Sequence, residues 1–146
     1  MDFIINEVYF HTIFSVEKHQ NLISRDIKMG VYKCIMDSFE NLGCRVQGIN
    51  GTENHVHVIY HANLNISLDE LLKKVKLSSQ FEIRKKHNQC FSWEEGLFVY
   101  TTCKKDLFTE KLMLKQEGFK HEMISLEEEL YYLRKNYEKA QQLDQY

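Results

Sequence analysis

The chain contains no proline in its 146 residues, and it shows neither internal repeats nor low-complexity tracts. Nothing in it therefore reads as a linker. At 43% hydrophobic, this length suits a single compact domain spanning 1–146 and is too short for two ordinary ones. No apolar run approaches the roughly 20 residues that cross a bilayer. The opening Met1-Asp2-Phe3-Ile4-Ile5-Asn6-Glu7 also lacks the basic flank of a secretion signal. A soluble, cytoplasmic protein with no membrane partner is expected.

Cys-x-x-Cys spacing is absent too. Cys34, Cys44, Cys90 and Cys103 are scattered, which suggests neither a zinc knuckle nor a redox pair, and they read as reduced, mostly buried thiols. The net charge of −2 argues against a protein held to nucleic acid by bulk electrostatics alone. Its distribution says more. Residues 66–121 hold eleven Lys/Arg against eight Asp/Glu, whereas residues 122–146 hold three against six, so basic character gathers in the middle of the chain.

What is present begins with Glu53-Asn54-His55-Val56-His57-Val58-Ile59-Tyr60-His61. On a strand, side chains alternate faces, so His55 and His57 share one face while Val56, Val58 and Tyr60 share the other. Two imidazoles so placed can grip one metal ion, although a lone His-x-His also fits an ordinary solvated sheet face.

The rest of the chain organises around that segment. Glu7 to Val16, rich in β-branched and aromatic residues, reads as a first strand. From Ser24 to Leu42, Ile27, Val31, Ile35, Phe39 and Leu42 recur at helical spacing and stop at Gly43. Cys44 to Ile49 and Thr52 to His61 read as a hairpin turning at Asn50-Gly51. Ser67 with Glu70 opens a second helix running to about Lys86, with Leu68, Leu71, Leu72 and Val75 on one face. Leu97 to Thr102 is a fourth strand after a loop holding Trp93. Asp106 to Gln116 is a third helix ended by Gly118, and Ser125 with Glu128 caps a final helix. This order is a ferredoxin-like βαββαβ pattern of the α+β class: an antiparallel sheet with helices on one face and a C-terminal helical extension.

As a set, His55-Val56-His57 on the hairpin's second strand, Phe10-His11-Thr12-Ile13-Phe14-Ser15 before it, Phe91-Ser92-Trp93-Glu94-Glu95-Gly96 before the last strand and the Gln-containing third helix are characteristic. From about Val8 to Tyr137 the chain resembles the single-tyrosine HUH transposases of small bacterial insertion sequences, including the REP-associated tyrosine transposases. The resemblance implies a ferredoxin-like fold and metal-dependent cutting and rejoining of single-stranded DNA hairpins during DNA transposition. It makes His55, His57 and Gln116 ligands of Mg²⁺ or Mn²⁺, a Lewis acid on the scissile phosphate. It offers Lys73, Lys74, Lys76, Arg84, Lys85 and Lys86 of the second helix to DNA phosphates. It also implies a homodimer in which the third helix, with Leu112 and Gln116, often completes the partner's site.

The family's nucleophile is a tyrosine one turn before the glutamine, and here Leu112 occupies that position. No tyrosine lies between Tyr100 and Tyr131. Tyr131, Tyr132 and Tyr137 share their helix with Leu130 and Leu133 at packing intervals, and Tyr100 belongs to a strand. Glu53-Asn54 also stands where the family commonly has Pro-Asp. Three functions remain open: a strand transferase with another nucleophile, a non-enzymatic, repurposed DNA-hairpin-binding protein, and a metal-dependent hydrolase with Glu53 or His61 as base.

Overall fold

The computed structural model describes residues 6–116 and, beyond them, the helical positions Lys135 and Glu138. The expected final helix from Ser125, with Tyr131, Tyr132 and Tyr137, lies outside the described residues, as does Gly118. In chain order the strands and α-helices are β1 (Tyr9–Ser15), α1 (Lys28–Asn41), β2 (Arg45–Gly51), β3 (His55–His61), α2 (Leu68–Lys86), β4 (Phe98–Thr102) and α3 (Lys104–Lys115), with one 3₁₀ turn, Glu17–His19, between β1 and α1. Among these residues no helix is long and apolar enough to cross a membrane.

The four strands form one sheet in the order β2-β3-β1-β4, with every neighbouring pair antiparallel. β3 therefore separates β1 from β2, and β1 separates β3 from β4. Each of α1 and α2 connects two strands across an intervening one, giving two interleaved split β-α-β units of the ferredoxin-like kind.

Strand parity divides the sheet into two unlike faces. Val56, Val58 and Tyr60 point to α1 and α2 and join Phe14, Val31, Ile35, Phe39, Leu71, Leu72 and Val75 in the main core. The rings of Phe39 and Tyr60 sit 4.4 Å apart. Burial pushes the Tyr60 phenol up, against the opposing effect of its hydrogen bond with Thr12, and its Oη lies 2.8 Å from Thr12 Oγ1. The opposite face carries His55, His57 and Ile59, paired with Ser15, Ile13 and His11 of β1.

Local signals set the ends of α1 and α2. Gly43 adopts φ +79°, and the N–H groups of Gly43 and Cys44 reach Glu40 O and Phe39 O at 3.0 and 3.1 Å, a Schellman closure that a side chain would strain. Ser67 caps α2, its Oγ accepting from Glu70 N at 3.2 Å. α1 begins at Lys28 rather than Ser24, because Ser24–Ile27 form a preceding turn.

The hairpin turn is displaced from its expected place. Asn50 and Gly51 lie inside β2, paired with His57 and Val56, and the chain reverses through Thr52-Glu53-Asn54, closed by Thr52 N–H to His55 O at 3.0 Å. An Asn-Gly hairpin turn requires positive φ at both residues, and neither has it. Gly51 answers a different need: a Cβ there would lie 2.1 Å from His55 O.

Candidate metal centre and nucleic-acid face

The histidine pair is set by the tight turn before β3 and by the neighbouring strand. His55 and His57 are both buried, with ring centroids 5.1 Å apart. His55 Nδ1 is 2.9 Å from both Asn54 Oδ1 and Thr52 Oγ1, two of the three polar side chains of the turn. His57 Nδ1 is 2.8 Å from Nε2 of His11, which is also buried. Each imidazole is thus held through Nδ1, the arrangement by which ligating histidines are fixed in tautomer and orientation.

His11 belongs to β1 on the same face. Its ring lies 5.1 Å from that of His57 and 4.5 Å from that of Tyr100 on β4. Its Nδ1 is 3.6 Å from Glu110 Oε2 of α3, and the same carboxylate oxygen accepts a hydrogen bond from the Thr102 hydroxyl.

α3 lies across this face. Leu114 is its buried residue, seated against Gly48, where a Cβ would come within 3.2 Å of Leu114 Cδ2. Asn50 Nδ2 donates to Leu114 O at 2.9 Å. Glu110, Lys111 and Leu114 therefore address the sheet. Leu112 is 46% exposed, and Gln116, the C-cap, is exposed as well. The expected third ligand and the nucleophile position thus share the outward side of α3.

Among the described residues, no three His, Cys, Asp or Glu side chains converge as a complete metal cage. The pair is a two-ligand grip. The donor set fits a cation completed from outside, since both imidazoles are held through Nδ1 and adjoin each other on one strand.

The basic residues of α2 lie on the other side of the sheet and divide into two groups. Lys73, Lys74 and Lys86 pair with Asp69, Glu70 and Glu82 one turn away at 2.9, 3.0 and 3.1 Å, in exposed settings where such pairs contribute little. Lys85 is exposed. Lys76 and Arg84 instead secure the loop before β4. Lys76 Nζ donates to Glu94 O at 2.9 Å and to Gly96 O. Burial lowers the pKa of Lys76, against the opposing pull of Glu94 and Glu95. Arg84 Nε donates to Phe91 O at 2.6 Å and its Nη2 to Ser92 Oγ at 2.5 Å. The loop in turn joins β1, with Glu94 N–H on Ser15 O at 2.7 Å.

The profile of the family described as IS200-like transposases matches residues 4–111. This chain belongs to that family. The match ends one residue before Leu112. The transposase fold is similar to that of a presumed transposase from Deinococcus radiodurans R1, at TM-score 0.64 and 11% identity, covering 80% of this chain and 95% of that one. It is also similar to a REP-associated tyrosine transposase bound to a REP hairpin, at TM-score 0.60 and 11% identity, covering 83% of this chain and 72% of that one. At such identity the likeness concerns the fold. No curated protein matches the sequence.

Sequence reasoning left His11 and Glu110 unassigned. His11 lies in the Phe10–Ser15 segment, and its parity with His57 becomes visible only once β1 is paired to β3. Glu110 carried no sequence signal beyond its helix. Among the alternative bases, His61 Nε2 lies 2.5 Å from Asn6 O at the far end of β3, and Glu53 is exposed in the turn. The structure does not draw either into the pair.

Proposed function

We propose that this transposase-family protein binds single-stranded DNA hairpins on the histidine face of its sheet. In this reading, Mg²⁺ or Mn²⁺ is held there by His55, His57 and Gln116, and the chain 1–146 acts as one cytoplasmic domain. The observation that carries the reading is the pair of buried imidazoles, each held through Nδ1 by a neighbouring side chain. A divalent cation at that place supplies Lewis-acid stabilisation of phosphate charge. The chain's own residues hold and orient the donors.

The family reaction is cleavage and rejoining of DNA strands, and its covalent step needs an attacking oxygen. Leu112 offers only hydrocarbon. The reading is therefore of a protein that keeps the metal grip and hairpin recognition while α3 forms no phosphotyrosine. The outward placement of Leu112 and Gln116 supports a homodimer in which Gln116 completes the partner's site. Isologous dimers are also the commonest assembly. Lys73, Lys74, Lys85 and Lys86 remain for phosphates of DNA passing around the sheet edge, giving modest, salt-sensitive affinity.

Labelled hairpin oligonucleotides with Mn²⁺ test this in one gel series. Wild type should shift the hairpins at low salt without a covalent adduct, and Leu112→Tyr should gain an adduct. Failure of every hairpin to bind would end the binding reading. An adduct formed by the wild type would show that another side chain attacks.

A further inference from the structure

We infer that His11 and Glu110 are positioning residues, forming a Glu110–His11–His57 chain that presents the His57 imidazole to the metal. This rests on the metal site proposed above. It adds two residues on two elements outside the His-x-His segment.

Ligation of a metal through His57 Nε2 would set an order of protons along this chain. For His57 to offer Nε2 as a ligand, its own proton must sit on Nδ1. That Nδ1 lies 2.8 Å from His11 Nε2, which must then accept. His11 consequently carries its proton on Nδ1, the nitrogen 3.6 Å from the Glu110 carboxylate. A carboxylate beside Nδ1 favours the tautomer with hydrogen there. Glu110 is itself steadied by the Thr102 hydroxyl, and the Tyr100 ring lies 4.5 Å from the His11 ring at 34°. Every element of the histidine face except β2 thus contributes to the orientation of one imidazole.

The two ligands are supported differently. His55 is held by Asn54 and Thr52 of its own turn, a local support that requires only the four consecutive residues Thr52 to His55 to fold correctly. The support of His57 comes from β1 and, through it, from α3. Three buried imidazoles in a row would be a poor way to fill a core, because buried polar groups are costly unless paired. They are an effective way to hold one ring still.

Mn²⁺ binding by the full chain, without DNA and without turnover, tests the inference. Calorimetry gives the affinity, and pulsed electron paramagnetic resonance counts the coordinated nitrogens. Wild type should bind Mn²⁺, and His55→Ala and His57→Ala should abolish binding. If the wild type binds none, the metal reading fails, and with it this chain of positioning residues. If the controls behave, His11→Leu should weaken Mn²⁺ by about ten- to a hundred-fold and remove one nitrogen coupling. His11→Gln, whose amide oxygen can occupy the place of Nε2, should restore affinity to within about three-fold of wild type, which a purely space-filling role for His11 would not produce. An unchanged Mn²⁺ affinity in His11→Leu overturns the inference, whatever happens to its melting temperature. Should His11→Leu fail to fold, Glu110→Ala decides: about three-fold weaker binding or more supports the chain, and unchanged binding overturns it.

Discussion

The seven residues of β3 are divided between two faces that serve opposite ends. Toward α1 and α2, Val56, Val58 and Tyr60 enter a dry core of aliphatic and aromatic side chains. Toward α3, His55 and His57 meet Asn54, Thr52, His11 and, beyond it, Glu110. The apolar face is fully buried and holds the strand in place. The polar face needs that rigidity, because imidazoles can serve a metal only when their ring planes are fixed. One strand thus joins the source of stability to the site.

The comparison breaks most visibly on the apolar face. Phe39→Ala, at the centre of the core, is expected to lower unfolding free energy by about 3 to 5 kcal/mol in urea melts. His57→Ala should lose only about 1 to 2 kcal/mol, through the hydrogen bond with His11, yet abolish Mn²⁺ binding measured by calorimetry. If the two variants destabilised equally, the histidine face would be core rather than site.

The basic helix sharpens the division further. Lys76→Met should cost about 1 to 2 kcal/mol, since the carbonyls of Glu94 and Gly96 lose a charged donor. Lys73→Met should stay within about 0.5 kcal/mol and appear instead as weaker hairpin binding with a shallower salt dependence. The smallest effect belongs to the thiols. Burial raises the pKa of Cys34 and Cys44, while Cys90 and Cys103 are exposed. A disulfide reagent should therefore label the latter two in the native state and the former two only on unfolding. Cys90→Ser should shift stability by less than about 0.5 kcal/mol.

Much of this architecture was legible in the residues. The periodicity of α1, its Gly43 stop and the Ser67 cap depend on nearby residues, and all three stand. The Asn50-Gly51 turn was misplaced because pairing with Val56 and His57 outweighed a local preference. The expectation of mostly buried cysteines holds for Cys34 and Cys44 alone, since Cys90 and Cys103 lie outside the regular packing of the sheet. Lys76 and Arg84 carried a helical charge pattern identical in kind to that of Lys73. Only the fold of the loop from Phe91 to Gly96 shows that their donors are engaged. His11 and Glu110 were invisible for the same reason: they are 99 residues apart and meet through strand pairing and the path of α3.

The central claim is that metal and DNA meet on the histidine face. It is tested most directly by electron-nuclear double resonance on Mn²⁺ bound to the protein with a hairpin. The account predicts couplings to two imidazole nitrogens and to a DNA phosphorus in the same complex, with both nitrogens lost in the His55→Ala, His57→Ala double variant. A hairpin complex whose Mn²⁺ shows phosphorus but no nitrogen coupling would contradict it.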